Sequence, residues 1–243
     1  MPRLHLPLFC AIAVCLFALS PNELSAVQKP ASDEKPAAWE MEAQKRHDAL
    51  IEKNGPGTDA ALQRELLRMR DEDQAARGFT HGQKTSKPTQ AMIAALSATD
   101  RRLTEELKQI VAKSGWPVIS LVGIEASNGA MLILTHTADH AWQRRLLPEL
   151  QTLAAEDKID GSSLALVVDK ELVAEGKQQL YGSQFKFING KMAMYAVEDP
   201  SHLDERRAKA LLPPMNVYRQ VLEGIYHLQA SEDVVMPTKP STH

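Results

Sequence analysis

Cysteine is almost missing from this 243-residue chain, and where it stands matters more than how little there is. Cys10 and Cys15 both lie in a short apolar segment near the N-terminus. The chain from Val27 onward has no thiol, which excludes a cysteine nucleophile, a thiolate metal site and redox chemistry there. No disulfide can form in that part, so the core alone must hold it together. An excess of positive charge is missing too. With 28 Lys and Arg against 31 Asp and Glu, the net charge is −3. Nothing in that balance suggests nucleic acid or an anionic membrane surface as a partner. The chemistry motifs that local spacing would reveal are also missing. No G-x-S-x-G surrounds a serine, and Gly182-Ser183-Gln184 lacks the flanking residues of a nucleophile elbow. "NGPG" and "VGIEASNG" lack the Lys of a phosphate loop, and neither H-E-x-x-H nor a paired E-x-x-H is present. No metal and no cofactor are expected.

What is there begins with an address. Arg3 and His5 precede "LPLFCAIAVCLFAL", and "PNELSA" ends on the small Ala26. That is the layout of a secretory signal peptide over residues 1–26, with an apolar core too short for a comfortable membrane span. Phe9 before Cys10 and Val14 before Cys15 are not the small residues that a lipoprotein signal requires. The reading is an exported protein, periplasmic or secreted, with no stable membrane insertion after signal removal. An uncleaved N-terminal anchor is the alternative. Removing the signal takes away one Arg and one Glu, so the charge stays at −3.

Residues 27–38, "VQKPASDEKPAA", read as a polar linker. A single mainly α, multi-helix domain is expected over 39–229, with one β-hairpin near the C-terminal third and a flexible tail over 230–243. A first helix stops at Asn54-Gly55-Pro56, and Thr58 or Asp59 caps a second that runs to about Arg77. Residues 78–90 read as loop, and Leu96, Leu103, Leu107 and Ile110 give helical spacing between Gln90 and Ser114. "GWPVISLVG" reads as a loop or short extended piece, and "IEASNGAMLILTHTAD" as a buried helix. A further helix carries Trp142, Leu146, Leu150 and Leu153 on one stripe, with a kink expected at Pro148, and another helix ends at Gly176. Asn189-Gly190 predicts a two-residue hairpin turn, pairing Phe187 with Met192 and Phe185 with Met194. Ser201 can cap "HLDERRAKALL", and Pro213-Pro214 precede a last helix whose stripe is Tyr218, Val221, Leu222, Ile225 and Leu228.

Several stretches resemble a known family: "RELLRMRDEDQAAR", "GWPVISLVGIEASNGAMLILTHTAD", "GKQQLYGSQF" and "DERRAKALLPP". Together they are similar to the bacterial domain-of-unknown-function family 6624, over roughly residues 60–220. The resemblance implies one shared fold and a shared pocket, but no chemistry. It carries over to Asp73, Gln74 and Arg77; to Gly115, Trp116 and Pro117; to Ser127, Asn128, His136 and Asp139; and to Tyr181, Gly182, Gln184, Arg206 and Arg207. Thr137 interrupts the family's His-Ala-Asp, Ser183 stands for its Thr, and Lys170 follows Asp169 where the family tends to have Arg.

Two helices then supply the candidate site. Leu62, Leu66, Met69 and Asp73 follow at spacings of four, three and four, so Asp73 lies at the centre of an apolar face. A carboxylate turned toward a core needs a partner, and Arg77, one turn on, can supply it. On the central helix Glu125, Asn128, Leu132, Thr135, His136 and Asp139 share one side of an otherwise apolar cylinder. Either that stripe faces a hydrated pocket or its members satisfy one another in the core. Asp139, three residues on, could orient His136 as an acid or base; His140 falls off the stripe and reads as surface. Tyr181 and Gln184, entering the hairpin, suit binding a polar ligand, although a turn and a cross-strand pair with Tyr195 explain them as well. Arg206 and Arg207 read as a solvated helix face.

Three functions remain open at this point. The first is a hydrolytic enzyme for a small polar or anionic substrate, with His136, Asp139 and Asp73 catalytic, Arg77 an anion contact, and Gln74, Asn128, Tyr181 and Gln184 binding. The second is a non-catalytic domain in which the same residues position a small polar molecule or a protein partner. In the third they are purely structural.

Overall fold

The computed structural model describes residues 38–80, 83–84 and 90–238. The expected signal peptide, and the linker up to residue 37, lie outside the described residues. The chain is mainly α. α1 (Ala38–Asn54) is followed by α2 (Ala60–Ala76), a two-residue ladder of β1 (Phe79–Thr80) and β2 (Gln83–Lys84), and α3 (Gln90–Ser114). Next come the short α4 (Ile119–Val122), α5 (Ile124–His136), α6 (His140–Ala155) and α7 (Gly161–Ala174). β3 (Phe185–Ile188) and β4 (Lys191–Tyr195) lead to α8 (Leu203–Lys209), α9 (Met215–Tyr226) and β5 (Ala230–Val235). Among the described residues no helix is long and apolar enough to cross a membrane.

Side-chain caps set the helix starts. Asp59 accepts from the N–H groups of Ala61 and Leu62, and Asp160 accepts from Ser162, each satisfying donors that a helix start leaves unpaired. The hairpin turns at Asn189-Gly190, both at positive φ, and its register pairs Phe185 with Met194 and Phe187 with Met192, as the turn chemistry predicts. Pro148 lies inside α6 without ending it.

Three expectations need correcting. "GWPVISLVG" contains a short helix, because Val118 and the carbonyl of Ile119 close a tight turn whose last N–H, on Gly123, returns to Ile119. The stretch read as loop after Gly78 holds the β1–β2 ladder. The tail is not frayed at 230: β5 pairs parallel to β4, making a three-stranded sheet of order β3-β4-β5. Main-chain bonds from Met192 N to Gln229 O and from Ala196 N to Val235 O fix it there.

Two cores result. The larger joins α2 to α7 through Leu66, Met69, Leu103, Leu107, Val122, Ile133, Leu134 and Leu150. The second packs Phe185, Met192 and Met194 of the sheet against Leu203 and against Tyr218, Val221, Leu222 and Ile225 of α9. α1 docks separately, with Leu50 against Ile119 and Ile124, and with Arg46, Lys53 and Asn54 all bonded to Asp157.

α5 packs closely against α2 where Gly129 faces it. A Cβ there would sit 3.2 Å from Cβ of Arg70 and 3.4 Å from the Leu66 carbonyl oxygen. Seven residues beyond Gly129 on α5, and seven beyond Leu66 on α2, His136 meets Asp73. The contacts climb both helices together, so α2 and α5 run in the same sense, and the glycine contact brings their polar ends into register.

The α1–α2 loop is pressed onto the α4–α5 junction, where Thr58 N and Asp59 N both donate to Leu121 O at 2.8 Å. A Cβ on Gly57, at φ +94, would lie 2.5 Å from Gly123 N and 2.7 Å from the Val122 carbonyl carbon, whereas one on Gly55 meets nothing within 4 Å. Both glycines need positive φ. Gly55→Ala is expected to cost about 1 kcal/mol, the strain term alone, and Gly57→Ala about 3 kcal/mol or more, since backbone must move. Urea denaturation of the two variants checks this, and equal losses would refute the close approach.

Candidate functional site

Asp73 is 1% exposed, as its place on the α2 stripe requires, and it is the centre of a hydrogen-bonded cluster. Arg77 donates to Asp73 Oδ1 at 2.8 Å, Gln74 donates to Oδ2 at 3.0 Å, and His136 Nδ1 lies 2.7 Å from Oδ1. The second terminal nitrogen of Arg77 reaches Asp100 Oδ1 on α3 at 2.8 Å. Three helices thus contribute to one polar centre inside an apolar contact. The His136 side chain is only 4% exposed.

Electrostatics separate the protonation states of the pair. Burial opposes ionisation of Asp73, but the Arg77 guanidinium and the hydrogen bonds from His136 and Gln74 outweigh it and hold the carboxyl below the usual range. Burial pushes His136 below the ordinary histidine value; the Arg77 charge works in the same direction and Asp73 against it. The consistent state is an Asp73 carboxylate that accepts Nδ1–H from a neutral imidazole. That tautomer carries its lone pair on Nε2.

The partner expected for His136 is therefore wrong. Asp139 caps α6, accepting from Trp142 N at 2.9 Å, and pairs with Lys108 at 2.8 Å. Helix α5 ends at His136, and Thr137 is extended (φ −60°, ψ 146°). The three-residue helical spacing assumed for Asp139 does not exist past that point. Those contacts also hold the Asp139 carboxyl low: Lys108 first, then the Trp142 N–H. The rest of the α5 stripe is shared out, with Glu125 3.6 Å from Arg70 and Thr135 bonded back to Met131 O. Asn128 is half-buried and makes no side-chain hydrogen bond among the described residues.

Tyr181 and Gln184 belong to a second group. Asp169, on α7 and fully buried, accepts from the N–H groups of Leu180, Tyr181 and Ser183. Burial pushes its carboxyl above the usual range, although those donors pull against it. Gln184 is 2% exposed and turned inward, donating to Ser183 Oγ at 3.1 Å. Gln179 holds the hairpin base, bonding to Gln184 N and Tyr195 O. Tyr181 is half-buried, and its phenol is pushed up by burial and then by Asp169. The expectation of a solvated face for both arginines fails at Arg207. It is 1% exposed, donates to Pro213 O and Tyr181 O, and lies 4.6 Å over the Tyr218 ring. Arg206 is half-buried and donates to Leu180 O, Glu198 O and Asp199 O. His140, expected at the surface, is partly exposed but bonds Glu171, whose side chain is 4% exposed.

Sequence reasoning missed Asp100 and Lys170. Asp100 stands four residues after Leu96 and three before Leu103, on the buried stripe of α3, a signal of the same kind as that for Asp73. Lys170 donates to Thr135 O at 2.5 Å and Thr137 O at 2.6 Å, and had no signal in local spacing. Among the described residues no group of three or more His, Cys, Asp or Glu is placed to hold a metal ion.

The sequence model of a family described as "Family of unknown function (DUF6624)" matches residues 60–231. No curated protein and no solved structure matches the chain.

Asp73→Ala leaves Arg77 and His136 facing a void and is expected to cost about 3 kcal/mol or more. Asp139→Ala, which loses a cap and an exposed ion pair, is expected to cost about 1 kcal/mol. Chemical denaturation distinguishes them. The pH dependence has a definite sign. Both folded pKa values are depressed, so the unfolded chain binds more protons. The His136 contribution is complete above pH 6.5, its ordinary value, and fades as pH falls through the folded value. The Asp73 contribution holds down to pH 3.8 and fades below. Stability curves of wild type and His136→Gln should therefore diverge in slope between pH 6.5 and 3.8, with the variant flatter.

Proposed function

The chain belongs to this family of unknown function, and from the Asp73–His136 geometry we propose that it is an exported hydrolase whose general base is His136. The observation that carries the reading is one contact: a carboxylate at 1% exposure bonded at 2.7 Å to Nδ1 of a histidine 63 residues away. Asp73 fixes the tautomer and would stabilise the imidazolium that forms when Nε2 takes a proton from water. The water's oxygen then attacks the substrate's carbonyl carbon, and collapse of the tetrahedral adduct breaks the bond to the alcohol or amine, which leaves with the proton that Nε2 had taken. Arg77 is not an anion contact in this scheme, since its terminal nitrogens engage Asp73 and Asp100. The cluster holds two carboxylates for one guanidinium, which favours a small polar, uncharged substrate over an anionic one. The N-terminal pattern of a basic start, an apolar core and a small residue supports the reading of export to the periplasm or beyond.

A second reading is a ligand-binding domain without chemistry. Asn128 favours it, as a half-buried amide with no side-chain partner among the described residues.

The test is hydrolysis of a panel of uncharged p-nitrophenyl esters and anilides by wild type, His136→Ala and Asp73→Asn, with folding verified by circular dichroism. Wild type is expected to turn over at least one member, and His136→Ala to lose roughly 10²–10⁴ in kcat, the usual contribution of a general base. A His136→Ala protein with wild-type turnover removes His136 from the chemistry. No turnover by wild type, together with a ligand-induced thermal shift that needs Asn128, establishes the binding reading.

A further inference from the structure

The two polar groups touch different sides of one helix. On α7, Asp169 takes the N–H groups of the 180–183 loop, and its neighbour Lys170 reaches the other way to α5. Consecutive helical residues point about 100° apart, so one dipeptide serves two neighbours. The Lys170 ammonium bonds the carbonyl of Thr135 at 2.5 Å and that of Thr137 at 2.6 Å, the residues on either side of His136. The last carbonyls of a helix have no partner within it, and their dipoles sum to a partial negative charge that a cation satisfies.

We propose that Lys170 is a positioning residue for His136, clamping the backbone on both sides of the histidine so that its ring stays on Asp73. The helix must stop at His136 for Asp139 to start α6, and a helix end without partners frays. His136 is the last residue of α5, so fraying would reach it first. Lys170 turns that terminus into a fixed point by closing two charge-assisted bonds across it. Among the described residues, Asp73 from α2 bonds the His136 ring and Lys170 from α7 bonds the backbone on either side of it; Arg77 from α2 and Asp100 from α3 act on it by charge. Lys170 alone of these acts on the backbone. The functional meaning rests on His136 being the base, but the positioning does not.

The experiment reads the imidazole directly and needs no substrate. In the purified protein, the His136 Nδ1–H proton, held against a buried carboxylate, is expected as a slowly exchanging downfield NMR signal, assigned by its loss in His136→Gln. In Lys170→Met that proton and the amides of residues 135–137 should exchange about tenfold faster or more, while core amides keep their rates. Lys170→Arg, which keeps charge and donors, should restore the slow exchange. Lys108→Met, which breaks the neighbouring pair with Asp139, should leave it unchanged. Should Lys170→Met fail to fold, Lys170→Gln, which loses the charge but keeps a donor, is read the same way. Exchange at His136 that is unaltered in the folded Lys170 variant overturns the proposal. Loss of ester turnover in His136→Ala is a separate readout, so the two ideas fail independently.

Discussion

Burying the Asp73 carboxylate is the constraint on which the helical core depends. A charge taken out of water costs several kcal/mol unless partners replace the lost hydration, and no single helix can supply enough of them. α2 gives Arg77 and Gln74, α5 gives His136, and α3 gives Asp100 to balance the far side of Arg77. The three helices are therefore held to one another by an arrangement that tolerates little displacement. Apolar packing alone would allow α2 to slide on α5; a 2.7 Å contact between Oδ1 and Nδ1 does not. Gly129 matters for the same reason, because the backbones must approach closely for side chains this short to meet.

A second buried charge plays the matching part in the C-terminal half. The 180–183 loop gives its N–H groups to Asp169 and its carbonyls at 180 and 181 to Arg206 and Arg207. The peptide dipoles thus lie between a carboxyl and two guanidinium groups, aligned with both. Donors arranged in this way fit a carboxylate, which accepts at both oxygens, better than a carboxylic acid, which must also donate. Arg207 covers Tyr218 of α9, so the same loop ties α7 to the second core. α7 is where the two halves meet, through neighbouring residues of opposite charge.

What could be read from the sequence follows the range of the forces involved. The hairpin was fully legible because its register is set by two turn residues and by alternation, both local. Asp73 was legible as a buried carboxylate because spacing along α2 places it among Leu62, Leu66 and Met69. Its partner on the same helix, Arg77, was legible too; His136 and Asp100 were not, since periodicity orients a side chain within a helix and says nothing about which helix lies opposite. The Asp139 error shows the complementary limit: periodicity holds only while the helix lasts, and one extended residue, Thr137, turned the expected dyad partner into the cap of the next helix. β5 was read as tail because "ASEDVV" shows no alternation. Only Ser231 of its six residues is buried and main-chain bonds to β4 hold it, and such bonds leave no mark on residue type. Lys170 was illegible for the same reason, since its partners are carbonyls.

With His136 as the proposed base, the end of α5 reconciles two demands that usually conflict. A base tuned by burial must be enclosed, yet a group that exchanges protons must stand near an edge. A histidine in mid-helix of a cylinder as apolar as α5 would be enclosed on all sides; one on a loop would lose the buried carboxylate. Placed at the last helical residue, His136 keeps its ring at 4% exposure against Asp73 while the chain turns away immediately after it. The arrangement costs a set of terminal carbonyls and one buried charge. Lys170 satisfies the carbonyls on either side of the histidine, and Arg77 with Gln74 satisfies the charge. Each of these residues compensates for a consequence of placing that histidine there, and that shared purpose is the strongest physical reason to treat the cluster as one unit.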